Sequence, residues 1–300
     1  MMTKYHNPVL LQATLSGLAI RQDGVYVDAT FGGGGHAKAI LEALGDRGRL
    51  FGFDQDTEAK NNMPSDPRFE FVAANFSHLK QYLKFYKASS VDGILADFGV
   101  SSHQFDTQQR GFSIRSDARL DMRMNQEQEL DAFYVVNHYT AEELNAIFFR
   151  YGELKNAKRL AALIVETRVD GPINTTFELK AALQSMVPQR FENKVFAQLF
   201  QAIRIEVNKE LDVIQEFLVQ AASVLKPNGR LVCISYHSLE DRLVKRFFQS
   251  GNFKGAVEKD FYGKPILSIR KVGKLIVPSE EEIATNSRAR SAKLRIAEKI

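Results

Sequence analysis

Four consecutive glycines, Gly32–Gly35, stand between a β-rich run and a helical one, and this junction constrains the fold more than any other feature of the chain. Glycine lets the backbone turn tightly and approach a ligand with no Cβ in the way. The helix that follows offers unpaired N–H groups and a positive dipole end to a carboxylate or phosphate. Four short runs rich in Val, Ile and Phe surround the junction: Val25–Thr30, Arg49–Asp54, Phe69–Asn75 and Val91–Phe98. Their near-continuous apolar character suits strands covered on both faces. The segment His36–Gly45 reads as a helix closed by glycine. Strands alternating with helices imply an α/β fold with a parallel, doubly wound sheet.

That rhythm stops after the fourth strand. From about Phe105 to Lys194 the pattern is helical, with candidate helices at Ala141–Tyr151, Ala157–Glu166 and Thr176–Met186. Thr140 with Glu143 forms a capping box ahead of the first of these. The α/β pattern resumes with an expected long amphipathic helix, Phe196–Leu225, then a Lys226-Pro227-Asn228-Gly229 turn and a fifth strand, Arg230–Tyr236. Two further β candidates, Ile266–Val272 and Ala292–Ala297, lie in the tail. The expected organisation is one discontinuous sheet domain, 1–104 and 196–300, interrupted by an all-helical insertion, 105–195.

At 44% hydrophobic and 25% charged residues the chain has ample apolar surface to bury, which excludes disorder as its main state. Its single cysteine, Cys233, excludes an intrachain disulfide framework and a Cys-based zinc site. No apolar run approaches the roughly 18 residues of a membrane-spanning helix, and the opening MMTKYHNPVLLQ lacks the build of a signal peptide. The expectation is a soluble, cytoplasmic protein without a membrane partner or a bound metal. The net charge of +4 is unevenly spread: residues 240–300 carry 14 Lys+Arg against 8 Asp+Glu, whereas residues 1–239 carry 26 against 28. A basic excess confined to the last fifth of the chain points to a polyanionic partner.

Asp54 ends the second strand, 19 residues beyond Gly35. In doubly wound sheets an acid at this place accepts hydrogen bonds from the hydroxyls of an adenosine-type ribose. The loop itself, Gly32-x-Gly34-x-x-Ala37, also fits the dinucleotide fingerprint, so on its own it admits NAD. Asp97, at the carboxyl end of the fourth strand, faces the crevice where such sheets bind ligands. Together with the turn before the fifth strand, it favours S-adenosylmethionine.

Longer motifs sharpen this. Asp97-Phe98-Gly99-Val100-Ser101-Ser102-His103-Gln104 resembles a segment of the bacterial 16S ribosomal RNA cytosine-N4 methyltransferase family, the small-subunit methyltransferase H or MraW type. The same resemblance is carried by His6-x-Pro8-Val9-Leu10-Leu11, Arg110–Ser113, Leu120–Met124, Ala202–Leu211, Ile234–Arg242 and Arg288–Arg295, spanning nearly the whole chain. It implies a class I, Rossmann-like methyltransferase sheet with an inserted helical domain for RNA recognition. The implied reaction is methylation of the exocyclic N4 of a cytidine in the decoding region of 16S rRNA, with S-adenosylmethionine as cofactor. By resemblance, Gly34, Gly35 and His36 line the methionine end of the cofactor and Asp54 holds the ribose. Phe76 covers the adenine, and Asp97 and Gln104 complete the pocket; Asp97 or nearby backbone carbonyls are expected to accept the amino hydrogens of the target base, with Asp97 as the candidate catalytic residue. Ser235, Tyr236, His237 and Ser238, at the end of the fifth strand, are expected to hold the flipped cytosine. Arg110, Arg115, Arg119 and Arg123, with Arg288, Arg290, Lys293 and Arg295 in the tail, are expected to meet RNA phosphates. The partner is the small ribosomal subunit or its RNA, and the enzyme is expected as a monomer or homodimer.

The sequence departs from the family's wording at Phe98 and His103, at Ala118-Arg119, in the Ala197–Leu199 stretch and at Ser287, none of which touches Asp54 or Asp97. Two rivals are an NAD-dependent oxidoreductase on the same sheet and a non-catalytic RNA-binding factor.

Overall fold

The computed structural model describes residues 8–100 and 107–300. It divides into two compact units, Met1–Gly99 with Leu211–Ile300, and Val100–Glu210.

The first unit is built on a seven-stranded sheet: β1 (Val25–Asp28), β2 (Arg49–Asp54), β3 (Phe69–Ala73), β4 (Val91–Asp97), β5 (Leu225–Ser235), β6 (Ile269–Ile276) and β7 (Lys293–Lys299). Their spatial order is β3-β2-β1-β4-β5-β7-β6. β1 to β5 run parallel, and β7 is antiparallel to both β5 and β6. Side chains alternate between two buried layers, as the period of a strand dictates. Val27, Phe51, Phe53 and Ile94 pack on Phe217, Leu218 and Ala221 of the helix Glu210–Val224. Tyr26, Leu50, Leu95 and Val232 pack on Leu18, Ile40 and Leu41 of the helices Leu11–Leu18 and Gly35–Ala43. Burial on both faces explains the continuous apolar wording of these strands.

Strand order reverses between β1 and β4, whose neighbours lie on opposite sides. The carboxyl ends of β1, β2 and β4 therefore surround the crevice where a doubly wound sheet takes its ligand, and all three end in aspartate: Asp28, Asp54 and Asp97.

The second unit is helical. Ala132–His138, Ala141–Arg150, Ala157–Thr167, Thr176–Leu183 and Glu192–Asn208 enclose a core that includes Val136, Leu144, Phe148, Leu160, Ile164, Leu179, Phe196 and Ile203. The Thr140–Glu143 capping box forms as expected, and Thr175 with Glu178 makes a second. Among the described residues, the only β pairing in this unit is an isolated bridge, Arg119 to Thr175.

Two expectations need correction. The single helix over Phe196–Leu225 is broken at Lys209, which adopts φ 49°. Its first half, with Phe196, Leu199 and Ile203, packs into the helical unit, and its second half covers the sheet. The Lys226–Gly229 turn lies within β5, as an irregularity in its pairing with β4 between Val91 and Gly93, with Asn228 at φ 64°.

Candidate active site

The glycine loop leaves β1 and enters the helix Gly35–Ala43. Gly34 caps that helix at φ 74°, a left-handed conformation that L side chains rarely adopt. A Cβ on Gly35 would lie 2.6 Å from the Pro8 ring, whereas one on Gly33 would meet nothing within 4 Å. The loop is thus closed on one side and open to a ligand beside Gly33.

Asp54 fixes the loop rather than capping a helix. One carboxylate oxygen accepts the Gly32 N–H at 2.8 Å and the other accepts the Asp56 N–H at 2.8 Å. The cap of the following turn is Asp56. Each Asp54 oxygen keeps a lone pair, so the carboxylate can accept a ribose hydroxyl while holding the loop. Burial pushes Asp54 up to about 6.

Asp97 stands at the end of β4, and its own N–H donates to Thr30 Oγ1 at 2.7 Å. The Tyr236 hydroxyl donates to its Oδ1 at 2.8 Å. Its Oδ2 lies 3.9 Å from His36 Nδ1. Burial lowers His36 to about 4, so the imidazole is neutral at pH 7 and the two groups do not form an ion pair. His36 Nε2 sits 3.0 Å from the Val9 carbonyl, which can only accept. Nε2 therefore carries the proton, and Nδ1 turns a lone pair toward Asp97. Two acceptors facing each other leave room for a donor between them.

A further acid was not singled out from sequence. Asp28 is 1% exposed. One of its oxygens accepts the Thr30 N–H at 3.1 Å, and the other, Oδ2, has no hydrogen-bond partner. Burial, then repulsion from Asp54, pushes Asp28 up to about 7. Burial, then the charges of Asp28 and Glu240, raises Asp97 to about 7 against the pull of Tyr236. The available signal was positional, since Asp28 is the residue at which β1 meets the glycine loop. A crevice edged by three repelling carboxyls, one with an unsatisfied oxygen, suits a cationic ligand. The sulfonium and ammonium groups of S-adenosylmethionine fit that donor set.

Phe76, just past β3, is half-buried, with its ring against Phe217 (5.2 Å between centroids) and Phe98 (6.1 Å). Phe98 completes this aromatic cluster. Ser235 is buried, with its hydroxyl on the Lys293 carbonyl at 3.4 Å. Tyr236 and His237 donate their backbone N–H groups to Glu240, at 2.8 and 3.3 Å, and Ser238 begins the helix Ser238–Ser250. This segment therefore caps a helix while its tyrosine steadies Asp97. Gln104 lies outside the described residues.

Several residues expected to meet RNA have partners within the chain. Arg110 is 6% exposed and donates to the carbonyls of Arg123 and Met124. Arg123 forms a two-pronged pair with Asp121 at 2.7 and 2.9 Å and donates to the carbonyls of Gln126 and Gln128. Arg119 pairs with Asp131 but keeps an exposed side chain, while Arg295 and Lys293 face Asp241. Arg115, Arg288 and Arg290 are exposed. Cys233 is buried within β5, where burial pushes its thiol up and keeps it inert.

A parallel sheet reversing between β1 and β4 and closed by an antiparallel β7, with a glycine loop and strand-final acids, defines a Rossmann-like methyltransferase that uses S-adenosylmethionine. The chain matches the model of the MraW methylase family over residues 3–300 and belongs to that family. It is 58% identical over 297 residues to the ribosomal RNA small subunit methyltransferase H of Flavobacterium johnsoniae, covering 99% of this chain and 98% of that protein. The protein of the same name from Christiangramia forsetii is 54% identical with the same coverage, and that of Parabacteroides distasonis is 51% identical over 298 residues, again covering 99% and 98%. Among the described residues no helix is long and apolar enough to cross a membrane.

Proposed function

We propose that this chain methylates small-subunit ribosomal RNA, and that its target is the exocyclic N4 of a cytidine in the decoding region of 16S rRNA. The names of its relatives support the RNA class. The observation that carries the chemistry is Asp97, whose Oδ1 is held by Tyr236 while Oδ2 lies beside the His36 lone pair.

S-adenosylmethionine supplies an electrophilic methyl group on a sulfonium. The chain's residues do the rest. Gly33 leaves space for the methionine end, His36 offers an acceptor to its ammonium while the buried Asp28 adds negative charge behind it, Asp54 takes the ribose hydroxyls, and Phe76 covers the adenine face. The N4 lone pair of cytosine is delocalised into the ring. Asp97, accepting one amino hydrogen, localises that lone pair and then holds the proton the amine loses after transfer. A carboxyl titrating at about 7 is well matched to that role near neutral pH. Holding N4 in line with the methyl group is the larger contribution, up to about 7–11 kcal/mol of the barrier. The cytosine reaches the site out of any stack, so the substrate is single-stranded or flexible RNA.

The test is methylation of undermethylated small subunits, with the modified nucleoside mapped by mass spectrometry. The expected product is N4-methylated cytidine, and Asp97→Ala loses both cofactor affinity and turnover. A methyl group on another nucleoside, or normal turnover by the variant, overturns the proposal.

A further inference from the structure

Between the helix Ser238–Ser250 and β6 the chain makes an excursion, residues 251–268, whose tip carries two aromatic side chains that no part of the core receives. Phe261 is 97% exposed and Tyr262 is 84% exposed. Their rings stand at 88° with centroids 5.6 Å apart.

The tip is not a loose end. Asp260 accepts the N–H groups of Tyr262 and Lys264 on Oδ1, at 2.9 and 2.8 Å, and its own N–H donates to the Lys264 carbonyl. Lys259 pairs with Pro265 as an antiparallel bridge, and the Ile266 N–H donates to Glu258. At the base, Asn252 accepts from the N–H groups of Lys254 and Gly255 and donates to the Ala256 carbonyl. Phe253 stacks on Phe247 at 5.1 Å, so the excursion starts from the core. A turn organised by this many hydrogen bonds pre-orders two aromatic rings in water. Lys254, Lys259 and Lys264 are exposed along it, and Lys271 and Lys274 are exposed on the adjoining edge strand β6.

We propose that this hairpin is an RNA clamp: Phe261 and Tyr262 stack on unpaired bases while the surrounding lysines meet the phosphates. The proposal rests on the RNA substrate inferred above and extends it to a surface apart from the cofactor crevice. Base stacking on aromatics tolerates any sequence, because every base has a π-face, and it combines with a basic track along the backbone. The spacing here is of that kind, with aromatics at the tip and lysines on both flanks. Glu258 and Asp260 flank the tip as well, which suits stacking on neutral base faces better than insertion into an anionic lipid surface. The tail's basic excess, diffuse in the sequence, thereby acquires an ordered point of contact.

The test uses the full chain and two probes, a naked 16S rRNA transcript and undermethylated small subunits. Phe261→Ala with Tyr262→Ala is expected to raise Kd for the transcript at least about thirtyfold and to raise KM in methyl transfer to match, with S-adenosylmethionine affinity as the folding control. Phe261→Tyr with Tyr262→Phe restores binding, and Lys259→Gln with Lys264→Gln lowers the salt dependence of Kd. An unchanged Kd for the transcript overturns the proposal. So does a defect seen only with assembled subunits, which marks a protein contact, or one seen only with anionic vesicles, which marks a lipid contact. If the wild-type chain binds RNA through the hairpin yet methylates no cytidine, the hairpin stands and the proposed reaction falls.

Discussion

Asp28 offers a sharp test of the electrostatics at the crevice. Its folded-state value of about 7 lies above the ordinary 3.8, so the folded protein binds the proton more tightly than the unfolded chain does. Stability contributed in this way is greatest at low pH and is lost as pH rises from about 4 through about 7. For one carboxyl with these values, moving from pH 5.5 to 8.5 removes about 2 kcal/mol of stability. His36, lowered to about 4, acts oppositely but only below its ordinary 6.5, and it is present in both proteins compared. Asp28→Asn keeps the acceptor for the Thr30 N–H and removes the charge, and it also relieves the repulsion that raises Asp97. Urea unfolding of wild type and variant without cofactor, followed by circular dichroism at pH 5.5 and 8.5, measures the effect. The variant is expected to lose about 2 kcal/mol less than wild type across that interval. Equal losses in the two proteins refute the reasoning, because the comparison cancels any fixed cost of the substitution.

Tyr236→Phe removes the hydroxyl that lowers Asp97; turnover is expected to fall about tenfold, with the acid limb of the pH–rate profile moving to higher pH, whereas a purely packing role leaves that limb in place. Arg123→Ala is expected to destabilise the helical unit by about 1.5–3 kcal/mol, the range for charged hydrogen bonds, without changing the salt dependence of RNA binding. Arg288→Gln and Arg290→Gln, at exposed positions, are each expected to lower the slope of log K against log salt by about one, measured by filter binding.

Much of the sheet was legible because its strands are buried on both faces, and VYVD, RLFGFD and VDGILAD have little other way to satisfy their apolar content. Asp54 and Asp97 were legible for a related reason, since a strand's carboxyl end in such a sheet faces the crevice. The break at Lys209 was not. Asn208-Lys209-Glu210 contains neither glycine nor proline, and the left-handed residue is held by distant partners. Asn208 bonds the backbone of Met122 and Met124, and Glu210 pairs with Arg204. The internal partners of Arg110 and Arg123 were not legible, because a guanidinium serves a phosphate and a backbone carbonyl equally well. Only the tertiary partner distinguishes them. Asp28 was overlooked since a buried acid inside a glycine-rich motif reads as part of the turn.

The pairing of β4 with β5 joins Ile94 to Leu231 and Asp97 to Ile234 across the entire intervening helical unit. For a chain that must close this pairing from the unfolded state, the search entropy grows with the length of the intervening loop, and such non-local contacts slow folding. The helical unit has its own core around Leu144, Phe148, Leu160 and Phe196. Once that core has formed, the effective loop between the two strands is far shorter. Order in the helical unit would then set how fast the crevice assembles, so a lesion in that core such as Leu160→Ala should delay the appearance of cofactor binding during refolding.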